Sequence, residues 1–263
     1  MTQSSQDKKA QVQAYFSRNA ESYVESFSHR AGKDMTRLIE VGEWQLSQHA
    51  LDVATGGGHT ALAVAPHVAR ITVSDLTPRM LEQARAYLTS QGVSNADYEV
   101  ADAEQLPFAD NSFDRVTCRI APHHFPNVAQ AVREIARVLK PQGVFLLIDS
   151  IAPDDPKLDT FLNTVEKRRD GSHGRSWTLK EWHHFFTEAG LHVEHEEIFR
   201  RPLQFDDWTK RSQMPADEKA SLEQFMLNSA EHTQHYFDVT LHTDGHIASF
   251  SNDYVLLKGR KMV

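Results

Sequence analysis

The chain predicts a doubly wound α/β architecture, with helices on both faces of a largely parallel sheet, and three observations carry that reading. Between about residues 50 and 150, short apolar or β-branched runs alternate with amphipathic helical segments. The first run ends in Gly56-Gly57-Gly58, which turns directly into a helix. An acidic residue, Asp75, closes the second run, where a ligand on the sheet's carboxyl edge would meet it.

Taken in order, Val12, Tyr15, Phe16, Ala20, Tyr23 and Phe27 recur at helical spacing and predict an amphipathic helix over roughly 9–27. A second helix is expected from Lys33 to Ser47. Ala50–Thr55 is the first strand, and the helix from His59 is ended or kinked by Pro66. Arg70–Asp75 is the second strand. Thr77-Pro78 then opens a helix with a good N-cap and a proline at its first position, and Gly92 closes it. Strands follow at Asp97–Ala101 and Phe113–Cys118. The helix from Asn127 buries Val128, Ala131, Val132, Ile135 and Leu139, and Pro141-Gln142-Gly143 turns into a strand at Val144–Asp149. Parallel strands joined in this way need right-handed crossovers.

The second half alternates less regularly. A helix near Asp155–Lys167 leads into the polar segment Arg168–Arg175, read as a solvated charged loop, with anion binding or a lid role as the alternative. A helix at Leu179–Ala189 ends at Gly190 and a strand follows at Leu191–Phe199. Helical material at 201–236 does not fit the alternation. Val239–Leu241, the Asp244-Gly245 turn and Ile247–Phe250 form an expected hairpin, and Tyr254–Lys258 is the last strand. The expected organisation is a helical lid over 1–48, a core over 49–200, a cap insertion over 201–245 and a final core strand within 246–263.

Composition narrows the function classes. A net charge of −8 opposes a general affinity for nucleic acid or anionic membrane, both of which need a positive field. The single cysteine, Cys118, excludes an internal disulfide and fits a reducing, cytoplasmic setting. No run approaches the roughly 20 apolar residues of a membrane helix, and the polar N-terminus lacks a signal peptide's hydrophobic segment.

The chemistry centres on Asp52-Val53-Ala54-Thr55-Gly56-Gly57-Gly58. A strand ends, glycines permit a tight turn, and a ligand approaches the backbone at the following helix N-terminus. An acid at that strand end can receive an ammonium group, and Asp75 can accept hydrogen bonds from a ribose diol. Taken alone, the turn also fits a dinucleotide fingerprint, Gly56-x-Gly58-x-x-Ala61 with Asp75 downstream.

A third element, Ala101-Asp102-Ala103-Glu104-Gln105-Leu106-Pro107-Phe108, adds specificity. With Asp52–Gly58, Asp75 and the Arg137–Gly143 turn, it resembles the class I S-adenosylmethionine-dependent methyltransferases, in the branch of the ubiquinone/menaquinone-biosynthesis C-methyltransferases. Phe16-x-x-x-Ala20-x-x-Tyr23 is similar to that branch's N-terminal lid helix, and the resemblance covers about residues 12–150. It implies a Rossmann-like, seven-stranded mixed sheet with an antiparallel last strand and a helical cap. It also implies S-adenosylmethionine as cofactor. By the resemblance, Asp52 and the loop of Ala54, Gly56 and Gly58 hold the methionine moiety, Asp75 and Leu76 the ribose, and Asp102 and Ala103 the adenine. Arg119 would line the reactive side and Tyr23 would close over it, although a core role for Tyr23 is equally compatible with its helix.

Two departures stand out. Ala54 replaces the family's first glycine and is expected to fit with a negative φ. Tyr23-Val24-Glu25-Ser26-Phe27 does not match the quinone methylases' Tyr-Asp-x-Met-Asn, which argues against demethylmenaquinone as acceptor. Should the nucleophile have to lose a proton, His123 and His124 follow the fourth strand at the carboxyl edge and are the candidate bases; turn-capping and packing are the plainer roles. No metal is expected, since His183-His184 lie about 100° apart around a helix. The expected function is methyl transfer to an O, N or C nucleophile of a small molecule. The alternatives are a nicotinamide-dependent oxidoreductase and a non-catalytic S-adenosylmethionine-binding protein. The sequence assigns no oligomeric state.

Overall fold

The computed structural model describes residues 5–25 and 32–262, with side chains described for all of these except 18–25. The chain runs α1 (Ser5–Glu25), α2 (Lys33–Val41), β1 (His49–Val53), α3 (His59–Val64), β2 (Arg70–Asp75), α4 (Pro78–Ser90), β3 (Ala96–Val100), β4 (Phe113–Arg119), α5 (Val128–Val138) and β5 (Leu139–Ala152). It continues through α6 (Pro156–Arg169), β6 (Trp177–Thr178), α7 (Leu179–Glu188), β7 (Leu191–Gln204), α8 (Phe205–Arg211), α9 (Ala216–Leu227), α10 (Glu231–Tyr236), β8 (Thr240–Leu241) and β9 (Ile247–Lys261).

The sheet order is β3-β2-β1-β4-β5-β9-β7, with the two-residue strands β6 and β8 added beside β5 and β9. Strands β1 to β5 are mutually parallel, and β9 is antiparallel to both β5 and β7. The order reverses between β1 and β4. At that reversal the crossovers leave toward opposite sides, so a crevice opens outside the carboxyl ends of the strands. Successive residues of β5 face opposite layers. Phe145 and Leu147 join a core with Val132, Ile135, Trp182 and Phe186 from α5 and α7. Leu146 and Ile148 join a second core with Leu38, Val64, Leu81 and Leu88 from α2, α3 and α4. Burial on both faces is why these strands read as continuous apolar runs.

A third apolar cluster lies apart from the sheet's two cores. It joins Phe161 and Leu162 of α6 to Leu203, Trp208, Met226 and Phe250, drawn from β7, α8, α9 and β9. The ribbon of β7 and β9 extends past the sheet and carries these helices. It stays paired from Leu191↔Lys261 to Gln204↔Ser249.

Several boundaries differ from expectation for identifiable reasons. The helix expected to reach Ser47 stops at Val41, because the Arg115 guanidinium takes the carbonyls of Gly42 (2.8 Å) and Glu43 (2.7 Å) that a further turn would need. The final strand is one element, not two. Ser251 and Asn252 interrupt its apolar pattern, yet both are buried, and the Asn252 amide donates to Glu166 of α6 at 2.9 Å. A polar pair bonded sideways to a helix imitates a turn in the sequence.

Arg168 and Arg169 belong to α6, and the segment after them is packed, not solvated. Asp170, Ser172 and His173 are buried, and the backbone amides of Gly174 and Arg175 donate to the His123 carbonyl at 2.8 and 3.0 Å. Gly174 permits this approach, since a Cβ there would stand 2.9 Å from that carbonyl oxygen.

Ala54 corrects a second expectation: its φ is +53°, in the left-handed region, not negative. The turn has kept the glycine backbone after losing the glycine, which costs an L-residue roughly 1–2 kcal/mol. Ala54→Gly should therefore raise stability by about 0.5–1 kcal/mol after the glycine's larger unfolded-state entropy is counted. Chemical denaturation of the two proteins checks this, and a less stable Ala54→Gly would show that the methyl's packing outweighs the strain.

Candidate active site

A cavity opens at the carboxyl ends of β1, β2 and β4, roofed by α1. Its floor is the Ala54–Gly57 turn, and Asp75, Leu76, Met80 and Ala103 form one side. Asp75 is 8% exposed, and its two oxygens accept the amides of Gly56 (3.0 Å) and Thr77 (2.8 Å). The Thr77 side chain also bonds this carboxylate, and the lone pairs that remain are its capacity for ligand hydroxyls. Burial raises the Asp75 pKa, and the two amides counter it. Asp102 receives the Glu104 amide at 2.9 Å, and Lys9 of α1 reaches both Asp102 and Glu104 at 2.6 Å. Gln13 of α1 donates to the Leu76 carbonyl at 2.8 Å. The helix is thus pinned across the rim by polar contacts to the very segments that line it.

Asp52 is placed differently from expectation. It is 1% exposed and does not line the cavity; its oxygens accept the hydroxyls of Thr55 (2.6 Å) and Thr117 (2.7 Å). Burial pushes its pKa up to about 6, against the pull of the two threonines. The carboxylate fixes the turn from behind. Gly58, at φ +84°, also stands back from the cavity. A Cβ there would lie 3.3 Å from that of Ala84, so this glycine lets α3 and α4 pack closely. Arg119 does line the cavity, but its guanidinium grips Asp34 of α2 through two nitrogens at 2.8 and 2.6 Å. Tyr23 lies on α1, and its side chain is outside the described residues.

At the end of β4, Ile120 turns with φ +52°, an uncommon conformation for a β-branched residue. Strain of this kind gathers at functional sites. Beyond it, His123 and His124 sit in a one-turn 3-10 helix, both buried, with ring centroids 4.1 Å apart. The two rings have different partners. His123 Nδ1 lies 2.6 Å from Asp149 Oδ1 in the last third of β5, and its backbone amide donates to Asp149 Oδ2 at 2.9 Å. Burial opposes the charge on His123, but the Asp149 carboxylate outweighs it and raises the pKa. His124 Nδ1 lies 3.2 Å from the Ser172 hydroxyl, which itself donates to Asp170. With that hydroxyl proton committed, His124 Nδ1 is the donor and Nε2 the lone pair. Burial, with the charge on His123 next, drives the His124 pKa down to about 3. Phe16 of α1 meets the His124 ring edge-on at 5.0 Å.

These histidines form a party wall. His124 and Ile120 line the first cavity and also a second one, which takes in His123, Arg169, Arg201, Trp208 and Tyr254. Sequence reasoning identified the pair but missed Asp149, Ser172 and Asp170, which assign their roles. Asp149 had a signal: it is an acid ending the apolar run Val144–Ile148. His183 bonds Glu196 at 2.6 Å and lies outside both cavities. Among the described residues no group of three or more His, Cys, Asp or Glu could hold a metal ion.

The two pKa shifts act in opposite directions on stability. His123, raised in the native state, contributes below its ordinary value of 6.5 and loses that contribution as pH rises through the native value. His124, depressed, contributes above 6.5 and loses it as pH falls toward about 3. Between about pH 7.5 and pH 5, wild type should therefore lose about 2 kcal/mol more stability than His124→Gln. Urea denaturation at the two pH values tests this; equal losses would mean that the native ring takes up the proton freely.

The residues present fit an S-adenosyl nucleoside: a buried carboxylate, a glycine turn and apolar walls converge on one cavity. Comparison with known proteins points the same way. The Methyltransferase domain family model matches residues 51–147. The uncharacterized methyltransferase YcgJ of Bacillus subtilis is 39% identical over 246 residues, spanning 94% of this chain and 97% of the relative. The crystal structure of the Bacillus subtilis YcgJ protein superposes with a TM-score of 0.85 at 38% identity, covering 88% of this chain and 98% of that one. A ubiquinone/menaquinone biosynthesis C-methyltransferase of Rickettsia felis is 35% identical over 156 residues, 54% of this chain and 61% of its own length. The nicotinamide alternative, which the glycine turn alone left open, falls with these matches. The chain belongs to the class I methyltransferases, whose cofactor is S-adenosylmethionine.

Proposed function

We propose that the protein transfers a methyl group from S-adenosylmethionine to an O, N or C nucleophile of a small-molecule acceptor. The observation that carries this reading is the shared wall. The nucleoside-type cavity and a second cavity meet at Ile120 and His124, with the carboxylate-oriented His123 beside the junction. When bound, S-adenosylmethionine supplies a methyl on a sulfonium, whose transfer leaves S-adenosylhomocysteine.

The chain's own residues then have separable tasks. Asp75 accepts the ribose hydroxyls, Leu76 and Met80 flank the nucleoside, and Ala103 with Asp102 meets the adenine. The backbone of Ala54, Gly56 and Gly57 faces the amino-acid end, held in shape by Asp52. Arg119 anchors α2 to the strand edge through Asp34 and orders that side of the cavity. Residues 1–48 act as the lid, through Phe16 and Tyr23, and 201–245 as a cap over the acceptor. Holding reactants together in a closed cavity supplies on the order of 7–11 kcal/mol of barrier reduction.

Of the two histidines, His123 is the base. Asp149 fixes its Nδ1–H and stabilises the charge that a captured proton brings, leaving Nε2 for the acceptor. His124 stays neutral, separates the cavities and packs under Phe16.

Isothermal titration calorimetry tests the donor half. S-adenosylmethionine and S-adenosylhomocysteine should bind saturably and NADH should not. Asp75→Ala should weaken S-adenosylhomocysteine about 10-fold or more, as loss of hydrogen bonds to a charged group requires. Unaltered affinity would remove Asp75 from the ribose site. For the base, His123→Gln should cut turnover about 100-fold or more, followed as S-adenosylhomocysteine release across a panel of phenols, amines and carboxylic acids, while cofactor affinity stays near wild type. Full activity in that variant would exclude His123 as base. Tight cofactor binding with no turnover on any acceptor would support a non-catalytic role.

A further inference from the structure

Three neighbouring imidazoles line the second cavity. His123 and His124 come from the turn after β4, and His173 comes from the segment after α6. All three are buried, and the His123 ring centroid lies 4.1 Å from that of His124 and 5.4 Å from that of His173. The backbone amide of Gly174 donates to the His123 carbonyl at 2.8 Å, so the two segments are fastened together beside these rings. The roles of base and partition use the first two histidines and leave His173 without a task. Burial, then the charges on His123, His124, Arg169 and Lys167, pushes the His173 pKa down, so this ring stays neutral.

A neutral imidazole has one N–H and one lone pair, and a fixed partner decides which nitrogen carries which. For His173 that partner is Asn163 of α6, whose Oδ1 lies 3.1 Å from Nε2. The backbone sets the orientation of the Asn163 amide. Its Oδ1 accepts the Ser176 amide at 2.7 Å, and its Nδ2 donates to the carbonyls of Asp159 and Ser176, each at 3.2 Å. Oδ1 can only accept, so His173 carries its proton on Nε2 and its lone pair on Nδ1. The same reasoning leaves the lone pair of His124 on Nε2 and, while that ring is neutral, the lone pair of His123 on Nε2. Each ring commits its proton to the protein, and the other nitrogen has no hydrogen-bond partner among the described residues. An ether, carbonyl or carboxylate oxygen set against such rings meets lone pair with lone pair, whereas a hydroxyl or amine satisfies them.

We propose that His173 is a specificity-determining residue for the methyl acceptor: its Nδ1 and the His123 Nε2 receive two adjacent hydroxyl or amino groups, one the nucleophile and the other an anchor. The assignment rests on the methyl-transfer reading above for the word acceptor, and on the ring tautomers alone for the demand for donors. With centroids 5.4 Å apart, the two rings reach groups on neighbouring atoms of one small molecule and not its opposite ends. Leu203 and the Trp208 and Tyr254 rings of the same lining suit an aromatic carrier of those groups.

Calorimetry on the full chain saturated with S-adenosylhomocysteine tests this with probes of one shape: catechol with two donors, 2-methoxyphenol with one and 1,2-dimethoxybenzene with none. Affinity should fall in that order, by about tenfold between catechol and 2-methoxyphenol. His173→Phe should bring that ratio close to one by weakening catechol alone, whereas a merely structural role would weaken the probes alike. His173→Gln, which keeps an acceptor oxygen, should retain part of the preference. S-adenosylhomocysteine affinity reports folding in both variants and should not move. Nitrogen-15 spectra of the wild-type histidine rings give a check that needs no folded variant. His173 should show a protonated Nε2 and a bare Nδ1, and catechol should shift the Nδ1 resonance. Binding of no probe, equal affinity for catechol and 2-methoxyphenol, an unchanged ratio in His173→Phe or a His173 ring protonated on Nδ1 would each overturn the assignment while leaving the methyltransferase reading intact. Failure of S-adenosylhomocysteine to bind would instead overturn the cofactor reading, and the ring spectra of the unloaded protein would then still test the tautomer and the catechol contact.

Discussion

A carboxylate buried at the end of a central strand must be satisfied locally, and the way Asp52 is satisfied organises the whole carboxyl edge. Its two oxygens take hydroxyls from Thr55 in the turn and Thr117 on β4, while its backbone carbonyl accepts the Ser74 hydroxyl from β2. Thr55 then returns its amide to the Ser74 carbonyl at 2.9 Å. Three adjacent strand ends are thereby tied at one point. The turn that follows has no freedom to relax, and Ala54 is held at positive φ in spite of its Cβ. The cost is visible in Asp52 itself, whose burial drives the pKa up to about 6. The tie is consequently strongest when the carboxylate is ionised and accepts both hydroxyls, and it sets where every cavity-lining backbone group can be.

From that fixed edge the two strand ends on the other side of the crevice acquire their function. β4 leaves the sheet through the strained turn at Ile120, and β5 carries Asp149 near its end at Ala152. The Ile120 amide donates to the Ile148 carbonyl at 2.7 Å, which holds the turn against the neighbouring strand. His123 is then delivered to Asp149 by both its ring and its backbone amide. The segment after α6 closes the arrangement from outside, since Gly174 and Arg175 bind the His123 carbonyl. Two neighbouring imidazoles in one buried space cannot both carry a proton cheaply. The carboxylate directs any added proton to His123, and the Ser172–Asp170 pair fixes His124 as the neutral tautomer.

The alternating strands and helices were legible because burial on both faces makes β1, β2, β4 and β5 plainly apolar, and the parallel order follows from the crossovers. The acidic positions around the first cavity were legible in kind, since Asp75, Leu76, Asp102 and Ala103 all line it. Their finer disposition was not. Whether Asp52 faces the cavity or the sheet depends on Thr117, which is distant in sequence and unremarkable as a strand threonine. The φ of Ala54 depends on that same tie. Arg119 lines the cavity as its place after β4 suggests, but its partner Asp34, 85 residues earlier, was not legible. The second cavity was least legible of all. Arg169, Arg201 and Arg211 meet only because β7 and β9 outgrow the sheet and carry α8 back over α6, and no periodicity in 201–236 encodes that return.

The two cavities differ in the charged groups among their described residues. Around the first, Asp34, Asp75, Asp102 and Glu104 outnumber Lys9 and Arg119, so the region favours a cationic ligand such as a sulfonium with its ammonium group. The second is lined by both signs, with Arg169, Arg201 and Arg211 beside Glu166 and Asp170. Between them stand the side chain of Ile120 and a histidine kept neutral, so little charge screens the junction itself. A sulfonium transferring a methyl loses its positive charge in the act. On S-adenosylmethionine, that change would lessen the donor's attraction to the carboxylates around the first cavity.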